Sequence, residues 1–192
     1  ELERASKNFN QVQSQNRKKM LFEFKNLSKS IDGKVLFEKF DARILQGERI
    51  AIVGRNGSGK STLLKILLGL EKPSSGEIKR GEVSIGYFDQ ARNVLDDDKS
   101  LIETLCPNGG DHVLVRGRNM HVYGYLKNFL FPKEFLDKKI GVLSGGEKNR
   151  VALAMLFTKT YDVLVLDEPT NDLDIATINI LEDYLQSFEG AI

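Results

Sequence analysis

Apolar residues recur along this chain at two spacings, and the switches between them mark out its elements. Leu21, Phe22 and Phe24 begin a strand-like run, and residues 35–44 give a second after the turn pair Asp32-Gly33. Ile50-Ala51-Ile52-Val53 is a continuous apolar run, the pattern of a strand buried on both faces. A glycine-rich stretch over 54–59 breaks it. Residues 62–68 then read as a helix stopped by Gly69. A turn is expected at 73–76 and short strands over 78–88.

From Arg92 to about Lys139 the pattern differs. Acidic turn residues and the Gly109-Gly110 break precede an apolar-periodic stretch over 122–131. This predicts a small, largely helical subdomain over about 92–140, inserted in an α/β core. Residues 151–157 are apolar all round, as in a buried helix. Residues 163–166 form a second apolar run, and Ile178, Leu181 and Leu185 mark one face of a last helix. Alternating strands and helices predict an α/β fold with a mainly parallel sheet, and the first strands an added antiparallel β part. Residues 1–20 are polar and read as the tail of a linker. The domain proper is expected over 21–192.

Composition narrows the picture without redirecting it. The chain has 192 residues, 41% hydrophobic and 29% charged, enough for one well-filled domain and too apolar for wholesale disorder. A net charge of +1 gives no global pull toward nucleic acid or membrane. The cluster Arg17, Lys18 and Lys19 reads as a solvated basic face. A single cysteine, Cys106, forms no internal disulfide and reads as a small apolar residue in a reducing compartment. No apolar run approaches the roughly 20 residues that cross a bilayer. The chain opens on Glu1 rather than Met, and is read as a piece of a longer protein.

Three motifs carry chemistry. Gly54-Arg55-Asn56-Gly57-Ser58-Gly59-Lys60-Ser61 fits G-x-x-x-x-G-K-[ST], between an expected strand and an expected helix. Such a loop turns backbone N–H groups toward phosphate oxygens, and the helix N-terminus adds positive partial charge. Lys60 is expected on the β- and γ-phosphates, Ser61 on Mg²⁺ and Thr62 on the α-phosphate. The second motif, over 163–168, delivers Asp167 and Glu168 at the end of a buried strand, the edge where open α/β sheets bind ligands. Asp167 is expected to hold Mg²⁺ through water, and Glu168 to polarise the attacking water. The third is Leu143-Ser144-Gly145-Gly146-Glu147. Ser144 and Glu147 have capping-box spacing, but a capping box needs no glycines. Bare backbone there lets a second phosphate approach a helix N-terminus. Both readings stand together.

In this order the motifs resemble the ATP-binding-cassette superfamily, from about Leu21 to the end of the chain. The resemblance implies two P-loop NTPase cassettes closing face to face, each signature completing the other's ATP site. It assigns Ser144, Gly145, Gly146 and Glu147 to the opposite nucleotide. Gln90 becomes the residue sensing γ-phosphate and metal. Asp172, Leu173 and Asp174 belong to the D-loop. The position that usually stacks an aromatic ring on adenine falls at Ile31, which implies aliphatic contact instead. The switch histidine has no counterpart in His112 or His121 and is expected beyond Ile192, so this piece is expected to bind ATP better than it hydrolyses it.

Within the superfamily, the run over 168–174 is similar to the ABC-F branch, as is the short spacing from P-loop to Gln90. Residues 117–131 resemble the second cassette of its Uup-like subgroup. That resemblance implies a cytoplasmic ATPase using Mg²⁺ with ATP, working on ribosomes and tRNA, with DNA contacts in the subgroup. The rivals are the ATPase subunit of an ABC membrane transporter and a regulatory module that binds ATP without turnover.

Overall fold

A computed structural model describes residues 18–169 and 173–192, with only the backbone at Gln90. Strands β1 (Met20–Ile31) and β2 (Lys34–Leu45) form an antiparallel hairpin. Its turn residues, Asp32 and Gly33, both take positive φ, as a two-residue turn matching strand twist requires. Strand β3 (Ser75–Arg80) pairs antiparallel on the other side of β1, giving the order β2-β1-β3. Leu21, Phe22, Phe24 and Leu27 make β1 the most deeply buried of the three. They pack on Ile66 and Leu67 of helix α1 (Lys60–Leu68).

The parallel part is short. Strand β4 (Ile85–Tyr87) pairs in parallel with β7 (Val163–Val165), Ile85 opposite Val163 and Tyr87 opposite Val165. Helix α2 (Phe88–Asn93) follows β4 directly. On the other side of β7, Ala191 bridges in parallel to Val163, and its carbonyl accepts from Leu164 N–H at 2.8 Å. Ile192 in turn exchanges hydrogen bonds with Glu48 and Ile50.

The run 50–53 departs from the sequence expectation: it is neither a strand nor buried. Ile50, Ile52 and Val53 are 44%, 39% and 91% exposed. The ladder contact from Ile192 reaches Ile50 and no further among the described residues. Beyond it, Ala51 and Ile52 border an apolar cavity of about 380 Å³ that separates them from β7. The apolar pattern was legible, but the neighbour that would bury it is not among the described elements.

The second core gathers around helix α5 (Gly145–Phe157). Its Val151, Ala152, Leu153, Ala154, Leu156 and Phe157 are buried, as the all-round apolar pattern predicts. Phe157 stacks on Tyr184 of helix α6 (Ile175–Gln186), with centroids 3.5 Å apart. Tyr125 Oη donates to the Ala154 carbonyl at 2.7 Å. Residues 92–140 supply helix α3 (Leu101–Leu105), helix α4 (Val122–Leu126) and two single 3₁₀ turns, and a third begins at their end, over Ile140–Val142. They also hold a hairpin that the helical reading did not include: β5 (His112–Val115) with β6 (Arg118–His121). Its turn, Arg116-Gly117, has φ of 48° and 80°.

Two glycines with positive φ test how the antiparallel layer is held. A Cβ on Gly76 would sit 2.4 Å from the Asn26 carbonyl oxygen of β1, whereas one on Gly33 meets nothing within 4 Å. Gly33→Ala is expected to cost about 1–2 kcal/mol from the left-handed backbone alone. Gly76→Ala is expected to cost more, because backbone must also move. Urea unfolding of the two variants checks this; equal losses would contradict the close β1–β3 contact.

Candidate active site

The glycine-rich loop leads into α1 without a side-chain cap. Gly59, at the N-cap, has φ 95° and donates no side-chain acceptor to the first turn, so the first N–H groups of α1 keep their anion-binding capacity. Leu36 explains part of the glycine requirement: a Cβ on Gly59 would lie 3.0 Å from the Leu36 Cβ. Gly57 also takes positive φ. The loop closes on itself through Ser58 N–H to the Arg55 carbonyl at 3.1 Å. Lys60 Nζ donates to the Gly54 carbonyl at 2.8 Å and the Arg55 carbonyl at 3.3 Å, so its ammonium sits over the loop.

The same loop lines a cavity of about 570 Å³. Asn56, Gly57, Gly59, Lys60, Ser61 and Thr62 form one wall, and Glu168 reaches it from the end of β7. Ile31 lies in the same cavity, on the β1–β2 turn. Three further lining residues, Asp32, Lys34 and Leu36, escaped the sequence reading. Their signal was weak: the Asp32-Gly33 turn was legible, but not that it bends over the phosphate loop. Gly54, Arg55 and Ser58 belong to the loop without lining this cavity.

The parallel pairing of β4 with β7 brings the acidic groups to one edge. Tyr87 and Val165 are opposite each other. Asp167 therefore emerges two residues beyond one strand, and the backbone of Gln90, in α2, three residues beyond the other. The Tyr87 hydroxyl is pushed up to about 12 by burial, then by Asp89 and by Asp167, which places the Asp167 charge beside β4. Asp167 borders the apolar cavity together with Lys60 and Glu168. Glu168 is exposed and has φ 45°, a left-handed backbone uncommon outside glycine and asparagine. Backbone held in such a region is typical of functional sites.

Ser144 to Glu147 stand elsewhere. Ser144 caps α5, accepting from Glu147 N–H at 3.3 Å, while Glu147 Oε2 accepts from Ser144 N–H at 2.7 Å. The Ser144 N–H holds the Glu147 carboxyl below its ordinary range. None of the four residues lines the cavity of the phosphate loop. The two glycines differ. A Cβ on Gly146 would lie 2.8 Å from Asp174 Oδ2, whereas one on Gly145 meets nothing within 4 Å. Asp174 is the N-cap of α6, and Leu173 packs against the second core. Asp172 lies outside the described residues. No group of three or more His, Cys, Asp or Glu side chains that could hold a metal occurs among the described residues. No described helix is long and apolar enough to cross a membrane.

Comparison with known proteins agrees with this geometry. The family described as ABC transporter matches residues 37–171. The protein called ATP-binding protein Uup in Escherichia coli (strain K12) is 43% identical over 175 residues, covering 91% of this chain and 27% of that protein. ABC transporter F family member 5 of Arabidopsis thaliana is 42% identical, covering 88% of this chain and 24% of that protein. The chain therefore spans about a quarter of the length of these relatives. Among solved structures, an ATP-binding subunit of an ABC transporter aligns with a TM-score of 0.66 at 23% identity, covering 86% of this chain and 73% of the other. That level shows the fold alone. cbiO1 from Clostridium perfringens, part of the transporter complex cbiONQ, aligns at 0.64 and 26% identity, covering 90% and 76%. With a family match over most of its length and the loop, strand-end acids and capped LSGGE helix all in place, the chain belongs to the ABC transporter family, as an ABC-type ATPase cassette similar to the ABC-F proteins.

Proposed function

We propose that this cassette is one of a pair that closes face to face on ATP and hydrolyses it to ADP and phosphate in the intact protein. The supporting observation is the separation of two half-sites on one chain. The phosphate loop and Glu168 share a cavity, while the LSGGE helix end is exposed elsewhere, with open space over Gly145. The Ser144–Glu147 cap accounts for the two polar residues of that helix end. It leaves Gly145 without an internal reason, and a phosphate arriving from a facing cassette supplies one.

In this reading, Gly54 to Gly59 wrap the β- and γ-phosphates with Lys60, and Thr62 meets the α-phosphate. Ile31 packs on adenine. Ser61, Asp167 and Gln90 offer the hard oxygen donors that Mg²⁺ takes. Of the two carboxylates at this edge, Asp167 would serve the ion and Glu168 the water, a donor set that suits an ion completed by phosphate and water. When bound, Mg²⁺ neutralises charge between the phosphates. Glu168 orients and polarises the attacking water. Leu173 and Asp174, with Asp172, carry the D-loop to the shared face. The chemistry is positioning and electrostatic stabilisation, with no covalent enzyme intermediate.

The 42–43% identity to Uup and F-family proteins supports an ABC-F cassette, and the resemblance of residues 117–131 to the second cassette of the Uup-like subgroup supports a second-position one. Residues 1–20 would be the end of the linker from the first cassette, and 92–140 a subdomain inserted in the domain over 21–192. The proposed setting is cytoplasmic, on ribosomes during translation, with DNA as a further partner of the Uup-like subgroup. The transporter-subunit reading rests on the family description and on solved structures at 22–26% identity, against 42–43% for the Uup and F-family relatives, and is the weaker one.

Two outcomes test this. Glu168→Gln in the intact protein is expected to trap ATP with the cassettes closed and to lower turnover by about 10²-fold or more. Normal single-turnover hydrolysis by that variant would remove Glu168 from its role. Gly145→Asp is expected to leave nucleotide binding at this phosphate loop intact, measured by fluorescent ATP titration, while abolishing steady-state hydrolysis. For the setting, co-sedimentation of the trapped protein with ribosomes is expected, and recovery with membranes instead would favour a transporter subunit.

A further inference from the structure

Asp174 makes two sets of contacts at once. Its Oδ1 caps α6, accepting from Thr177 N–H at 2.7 Å and Thr177 Oγ1 at 2.6 Å. Its Oδ2 accepts from the Arg150 guanidinium at 2.9 Å. Gly146 leaves room for that oxygen, since a Cβ there would approach it to 2.8 Å. The carboxylate is therefore pressed against the backbone of the LSGGE helix end.

Arg150 comes from α5, six residues beyond the Ser144 cap. Its side chain is 14% exposed. The buried Phe131 ring lies 5.6 Å from the guanidinium carbon. Arg150 Nε is buried with no acceptor among the described residues. The guanidinium is thus held by packing and, among the described residues, hydrogen-bonded to the Asp174 carboxylate, with the Glu147 carboxylate also in its field. Asp174 is half-exposed, so the pair adds little to global stability. Its effect is geometric. Asp174 stands six residues after Glu168 in the chain, and Arg150 stands on the helix whose first turn carries the signature.

We propose that Arg150 is a positioning residue, which through Asp174 ties the signature end of α5 to the N-terminus of α6, so that the signature is presented to the facing nucleotide in a fixed orientation. The inference rests on the reading that the signature serves a second nucleotide. The pair acts on closure and turnover, not on capture of ATP by this chain's own phosphate loop. Charge alone is insufficient: the planar fork packed near Phe131 sets the approach to Oδ2, so lysine is a poor replacement.

A double-mutant cycle in the intact protein tests it. Asp174→Asn retains a residue that caps helices well while removing the ion pair. Arg150→Met retains the aliphatic stem. Each is expected to lower kcat for ATP hydrolysis by about tenfold, with KM and ATP affinity changed less than twofold. The double variant is expected to match the worse single one, and Arg150→Lys to recover little. Lys148→Met, which removes a neighbouring α5 ion pair to Asp97 at 2.7 Å, serves as a control with unchanged kcat. Wild-type kcat in either single variant overturns the proposal. So do multiplicative losses in the double variant, or losses of affinity and unfolding midpoint in step with kcat. If Gly145→Asp hydrolyses ATP normally, the signature reading fails and takes this inference with it. If Gly145→Asp is inactive while the Arg150 and Asp174 variants are not, only this inference fails.

Discussion

Strand β7 is the wall on which both halves of the molecule lean. Val163 and Val165 face the core shared with β1 and α1, while Leu164, between them, faces the core built around α5. This is period-two alternation with both faces apolar, so three residues serve two cores. Its pairing with β4 on one side and Ala191 on the other leaves the strand no free edge at Val163. Asp167, two residues past the strand, and Glu168 inherit that fixed position. Asp167 and Glu168 are held at the mouth of the phosphate loop because the strand delivering them cannot slide without exposing apolar surface to both sides.

Two helix N-termini near this frame are finished in opposite ways. At α5, Ser144 and Glu147 satisfy one another's neighbouring N–H groups, and the carboxylate stays ionised below its usual range. At α1, Gly59 offers no side-chain acceptor, and Lys60 folds its charge onto the loop carbonyls. The first end is a completed structural cap that leaves open space over Gly145. The second is built almost wholly of main chain and lysine, and a polyphosphate is the ligand that matches it.

Much of this was legible in the sequence, because motifs with a mechanism name their own geometry. The loop over 54–61, the acids after β7 and the capping box of α5 all sit where their spacing puts them. Ile31, the position that the family resemblance marked for adenine contact, lines the phosphate-loop cavity. Failures came where burial depends on a neighbour the local pattern does not specify. The run 50–53 is as apolar as a central strand, yet its exposure is decided by which backbone lies alongside. The β5–β6 hairpin was hidden for the opposite reason: its strands are four residues long and mostly exposed, too brief for alternation to outvote nearby helical spacing. The Arg150–Asp174 contact joins residues 24 apart whose pairing no periodicity encodes.

Glu168 carries a further consequence. Its left-handed backbone precedes Pro169, and a residue before proline is itself driven toward extended conformations. A conformation disfavoured twice, of order 1–3 kcal/mol for a non-glycine residue, survives only where surrounding contacts over-determine it. Glycine would relax the backbone at this point while removing the carboxylate and its contacts. If Glu168 has the role proposed for it, thermal robustness and turnover pull against each other at this position, so a search for hardier variants that scores folding alone would tend to remove the carboxylate.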